Sequence, residues 1–273
     1  MKTPLFRRSP SIALGFTCLA LGLVLAVAAD NRKAVTSLVD QVRRADYEGN
    51  QQGMKKGYDD LAQFAADKEI GGAVRYWRGF AMWRRAINGF NDKVDPKELE
   101  QDLHDALKEF EVIPATDPVY IEARIAMVSC YGYLLFIHSG EPDRVKEIFT
   151  QVAPITAEVK QKAADNPRRL WVLGPIFFVT PSERGGGQDK AIATYQKGLE
   201  IIRKTKPATD PLEPSWGEPE LLMNMAWSYL NQAKPDVESA ERDAQAALVL
   251  VPYWHYVRDI LIPQISTAKS QPK

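Results

Sequence analysis

From residue 31 onward, apolar residues recur three and four positions apart, and no stretch shows sustained period-two alternation. That spacing puts apolar side chains on one face of an α-helix, so it predicts helices and no sheet. Proline, glycine and Asx clusters punctuate it at 91–96, 116–118, 139–143 and 165–167, and a longer break from Pro207 to Pro219 holds four prolines. In the first break Asp95 is a suitable N-cap and Pro96 suits the first helical position, where a missing N–H costs nothing. Helices are expected near 31–47, 53–67, 70–88, 96–112, 119–138, 142–164, 167–179, 187–205, 219–232, 236–250 and 253–266. The polar end, 267–273, reads as a disordered tail.

These helices echo one another in pairs. Ala106 is followed four residues later by Phe110, Ala191 by Tyr195 and Ala240 by Ala244. On the helices before them, Gly79, Val128, Gly174 and Ala226 are each followed three residues later by Met82, Tyr131, Phe177 and Tyr229, at intervals of 49, 46 and 52 residues. A small residue lets a partner helix approach closely, and the side chain one turn on fills the groove beside it.

Leu173-Gly174 with Phe177, Ala191, Tyr195 and Gly198 resembles the tetratricopeptide repeat, as do Ala226, Tyr229, Ala240, Ala247 and Pro252, and Ala106, Phe110 and Pro118. The resemblance covers about residues 70–252, with periods near 50 in place of the usual 34. It implies an all-α, tetratricopeptide-like α-solenoid of about five helical pairs plus a C-terminal capping helix. The C-terminal third, with Trp216-Gly217, 220–226, 247–252 and 256–263, resembles exported bacterial tetratricopeptide proteins. That likeness implies a scaffold that binds a protein or peptide partner in a bacterial envelope.

In such a solenoid the first helix of each pair lines a concave wall. Aligned on the small residues, that wall would carry Tyr76, Phe80, Trp83 and Arg84, then Ile125 and Tyr133, then Arg168, Trp171 and Phe178, then Met223, Trp227 and Asn231. Aromatics and arginine dominate protein-binding energy. Trp83→Ala and Trp227→Ala are therefore both expected to weaken partner capture with little change in stability. The bland competitor is that aromatics at helical spacing form the core.

The first 29 residues read as an address. Lys2, Arg7 and Arg8 precede an apolar run from Ile12 to Val27, and Ala26-Val27-Ala28 offers small residues at a cleavage spacing. This is the layout of a secretory signal, which places the protein in the periplasm or outside the cell. The alternative is an uncleaved anchor through residues 11–29, the one route to membrane contact. Cys18 lies in a poor lipobox, so lipidation is not expected. Loss of 1–29 leaves 32 Lys+Arg against 35 Asp+Glu, a net charge of −3, and a single cysteine, Cys130. No disulfide can then brace the fold, and this charge balance does not suit a nucleic-acid binder.

Candidate chemistry is sparse. His104, His138 and His255 show no metal-ligand spacing. Gly185-Gly186-Gly187 with Lys190 lacks the phosphate-loop spacing and reads as a turn. Carboxylates such as Asp59-Asp60 lie on polar helical faces. The expectation is a binding module, not an enzyme, with no cofactor and no metal. The two rivals are a small-ligand carrier with an internal aromatic cavity, and an enzyme in which His104, His138 and acidic residues gather round one cleft.

Overall fold

The computed structural model describes residues 12–270, with side chains described from residue 29. These residues form eleven α-helices and no strand: α1 (Ile12–Tyr47), α2 (Gln51–Leu61), α3 (Gly71–Asn91), α4 (Pro96–Glu111), α5 (Tyr120–Ile137), α6 (Pro142–Lys162), α7 (Pro167–Val179), α8 (Gln188–Lys204), α9 (Glu218–Asn231), α10 (Val237–Leu250) and α11 (Ile262–Ser270). The basic start of the leader pattern, within 1–11, lies outside the described residues, as do 271–273. The leader boundary expected at residue 29 falls within α1, a single helix.

Local chemistry sets the helix ends. Asn50, Asp95, Asn166 and Asp236 cap α2, α4, α7 and α10 through side-chain oxygens, and Pro96, Pro142 and Pro167 occupy first-turn positions. Two boundaries differ from expectation. The helix expected over 53–67 ends at Leu61 and tightens into a 3-10 turn, Ala62–Phe64, after which the Asp67 carboxylate takes the N–H groups of Glu69 and Ile70 and leads the chain into α3. The helix expected over 253–266 is a π-helical stretch, Tyr256–Leu261, followed by α11, which runs on to Ser270, so part of the expected tail is helical.

The helices pack in neighbouring pairs. Each odd-numbered helix from α1 to α9 lies against the even one that follows it, and those from α1 to α7 also against the next odd one, giving an inner and an outer row, with α11 packed on α10. Small residues set the approach distances. A Cβ on Gly79 would run into the Phe110 ring, and one on Gly174 would overlap the Tyr195 ring. Ala226, Ala240, Ala244 and Ala247 do the same work between α9 and α10, all fully buried. Gly174→Ala is therefore expected to cost about 1–3 kcal/mol by overpacking. Gly132→Ala, at a helical site with open space beside it, should gain about 0.5–1 kcal/mol. Urea unfolding of the two variants checks the contrast.

α5 is apolar on all sides because α3, α4, α6 and α7 surround it. It is long and apolar enough to cross a membrane, with mean hydropathy 1.3, yet 56% of that span is buried inside the protein.

The first and last helices of the row meet. Tyr47, at the end of α1, packs edge-on against Trp254, with ring centroids 5.1 Å apart. Its hydroxyl donates to Glu220 Oε1 in α9 at 2.7 Å. A π-helical stretch, Tyr256–Leu261, then leads into α11.

Candidate functional site

The interior of the inner row is filled by aromatic side chains and by the segment between α8 and α9. Residues 205–217 cross the row as a strap with neither helix nor strand. The strap drives Trp216 between Phe80, Trp83 and Trp171, with centroid separations of 6.1, 5.6 and 5.4 Å. The Trp216 indole donates to Tyr76 Oη at 2.8 Å.

This arrangement corrects the expected concave wall. Tyr76, Phe80, Trp83, Arg84 and Trp171 are at most 5% exposed, so with the strap in place they are core and form no open wall. Ile125 is buried with them. Met223, Trp227, Tyr133 and Phe178 are half-buried, Arg168 is half-buried and engaged inside, and Asn231 is exposed.

Buried charges thread this core and tie the inner helices together. Arg84 Nε in α3 donates to both carboxylate oxygens of Asp46 in α1, each at 2.9 Å, and Asn88 Nδ2 adds a bond to Asp46 Oδ1 at 2.9 Å. Burial works to lower the Arg84 pKa, but the Asp46 and Glu220 carboxylates raise it, so the guanidinium keeps its proton. Arg168 at the start of α7 clasps Glu122 in α5 through two bonds of 2.6 and 2.7 Å. Glu220 accepts from Tyr47 and, at 2.8 Å, from the Gly217 N–H. Arg84 Nη1 and Trp171 Nε1 are buried without hydrogen-bond partners. The Arg84 guanidinium lies 5.6 Å from the Trp171 ring, a cation–π contact that offsets part of that cost.

A second cluster lies where α4 meets the turn between α5 and α6. His138 Nδ1 is 2.8 Å from Glu141 Oε1, and its Nε2 is 3.1 Å from Glu100 Oε1. His104 Nε2 and Arg144 Nη2 approach the same Glu100 oxygen at 3.5 and 3.9 Å. The two histidines do gather with acids, but among the described residues no group of His, Cys, Asp and Glu has the arrangement to hold a metal ion. The cluster is an ion-pair clamp at an open corner. The Glu141 hydrogen bond, opposed by burial and aided by Glu100, holds the His138 pKa above its usual 6.5. A raised folded pKa contributes stability that is complete below the unfolded pKa and fades as pH rises through the folded one. The stability deficit of His138→Gln should therefore be larger at about pH 5.5 than at about pH 8.5, as read by chemical denaturation at both.

Other candidates resolve simply. Gly185 and Gly187 adopt φ of 81° and 114°, and the Gly187 N–H donates to Phe177 O at 2.9 Å, so this is a tight turn. Lys190 is held to Gly185 O within it. Cys130 is fully buried, and burial pushes its thiol pKa well up, which keeps it unreactive. A partly open pocket among α5, α6 and α7, lined by Ile125, Val128, Thr156, Val159, Arg169 and Val172, measures about 10 Å³, room for one water at most.

No protein-family model matches the chain, and no curated protein matches it.

Exposed apolar side chains occur singly at Val112 and Phe149 and as the pair Val249–Leu250 on α10, and others lie at the ends of α5 and α7. Arg168 and Asn166 at the start of α7 bind Glu122 at the start of α5, so these helices run parallel and finish on the same side. Phe136 at the end of α5 is 68% exposed, and at the end of α7 Val179 is 77% exposed with Ile176, one turn before it, also exposed. Phe90, at the end of α3, stacks on Tyr133 at 5.1 Å and meets Phe136 edge-on at 5.8 Å. Phe178 packs against Trp227 of α9 at 4.9 Å. The sequence reading named Tyr133, Phe178 and Trp227 here and missed Phe90, Phe136, Ile176 and Val179. The missed signal was two unbroken apolar runs at helix ends, 134–137 and 176–179, more than one buried helical face can absorb.

Proposed function

We propose that this chain is a tetratricopeptide-like helical-pair solenoid, closed on itself, that acts as a protein-binding scaffold. It grips a partner at the aromatic rim formed by the ends of α3, α5 and α7 with Trp227. The observation that carries this reading is the exposure of Phe136 at the end of α5, against the Phe90–Tyr133 stack, and of Ile176 and Val179 at the end of α7, which also carries the Phe178–Trp227 pair. Exposed apolar side chains grouped at one place mark interaction surfaces, and aromatic anchors supply most of the energy there. The module works by recognition, without bond-making chemistry. The leader pattern in the sequence supports an exported, envelope setting.

The test is affinity capture from envelope extract with wild type and with a Phe136→Asp/Val179→Asp variant. Both sites are exposed, so the changes should alter stability by no more than about 0.5 kcal/mol each. Captured partners should fall roughly tenfold or more. An unchanged set of captured partners would remove the rim from the account.

A further inference from the structure

The strap, 205–217, is built like a bound peptide. Leu212, Pro214 and Trp216 are buried, while Pro211, Glu213 and Ser215 between them are exposed. A turn closed by the Glu213 N–H on Asp210 O at 3.1 Å sends Leu212 inward, and Pro214 and Trp216 follow it on the same side. The inner helices read its backbone with side chains. Trp77 Nε1 donates to Leu212 O at 2.8 Å, and Arg168 Nη1 donates to Trp216 O at 3.2 Å. Its outer end is tethered by Arg32, whose Nη1 reaches both carboxylate oxygens of Asp210 at 2.8 and 2.9 Å, in a part-exposed ion pair. Asp210 Oδ1 also accepts from the Leu212 N–H at 2.9 Å. These are contacts of a receptor with a peptide that turns at 210–213 and then runs on to Gly217, made here within one chain.

We propose that the inner face of α3 and α7 is a second binding site, for a polypeptide segment that carries Leu-x-Pro-x-Trp after an Asp-initiated turn, and that the chain's own strap is its resident occupant. A partner with such a segment enters by displacing the strap, Trp for Trp. The tether at Asp210 sets how readily the strap leaves, because it is the exposed part of an otherwise buried contact. This site is separate from the rim and stands whether or not the rim binds anything.

The probe is a synthetic peptide spanning 207–217, labelled at its N-terminus and titrated into the full chain by fluorescence anisotropy. Asp210→Ala in the protein frees the resident strap while leaving Arg32, Trp77 and Arg168 in place for the peptide. It should bind the peptide roughly five- to tenfold more tightly than wild type does. A peptide with Trp216→Ala should bind neither protein. Hydrogen exchange on wild type gives a second reading that needs no variant: saturating peptide should speed exchange at 212–217. Equal affinity for the two proteins, or no binding at millimolar peptide with exchange of the strap unchanged, overturns the proposal. So does tight binding of the peptide lacking its tryptophan.

Discussion

Trp83→Ala should destabilise the protein by about 3–5 kcal/mol, the cost of emptying a large aromatic site in a packed core. Trp83 is fully buried, its ring lies against Phe80, Trp171 and Trp216, and its indole donates to Ser129 Oγ at 3.2 Å. Truncation removes three aromatic contacts and orphans the hydroxyl. At roughly 2–4 °C per kcal/mol for a chain of this size, the melting temperature should drop by on the order of 10 °C. Trp227→Ala should behave differently. Trp227 is half-buried and has one aromatic neighbour, Phe178, so its loss should cost no more than about 1.5 kcal/mol. The sequence pattern treats these two tryptophans as equivalent, and the structure separates them. Thermal unfolding of both variants, side by side, measures that separation.

Removing one partner of the Arg84–Asp46 pair should cost about 3–5 kcal/mol, because it leaves a buried charge without its counterion. Arg84 and Asp46 are 3% and 1% exposed. Asp46→Ala should be the more severe change, since it abandons a guanidinium that already has one nitrogen unpaired. The double variant Arg84→Met/Asp46→Leu replaces both charges with apolar bulk and should recover most of the loss. Recovery has a ceiling, because Asn88 loses its Asp46 acceptor as well. A double-mutant cycle by urea denaturation gives the coupling, and strict additivity of the two single losses would contradict a direct buried pair.

Much of the architecture is legible in the sequence, for identifiable reasons. Helix period, proline breaks and Asx caps are local signals, and they place the eleven helices. The small-residue rule also holds across space, since Phe110 and Tyr195 do pack onto Gly79 and Gly174. The wall is less legible because it depends on a contact remote in sequence. Tyr76, Phe80 and Trp83 have the spacing of a lining, and they would line a groove if nothing lay over them. Trp216, well over a hundred residues later, closes it. The proline-rich break that carries Trp216 reads locally as a linker, and no periodicity reveals that its alternate residues point inward. Arg84 shows the same effect. A helical arginine reads as solvent-facing until Asp46, on another helix, is seen to meet it. The rim is half-visible: Tyr133, Phe178 and Trp227 lie on the predicted faces, whereas Phe90, Phe136, Ile176 and Val179 do not.

Closure of the interior around Trp216 is the claim on which the rest depends. Indole hydrogen exchange followed by NMR tests it directly, since the chain has six tryptophans with contrasting surroundings. The Nε1–H groups of Trp77 and Trp216 are hydrogen-bonded inside the core, while Trp227 sits at the rim. The Trp77 and Trp216 signals should persist roughly a thousandfold longer than that of Trp227, matching an opening free energy of ~4 kcal/mol. Exchange of Trp216 as fast as Trp227 would mean an open groove with a loose strap, and would contradict the account.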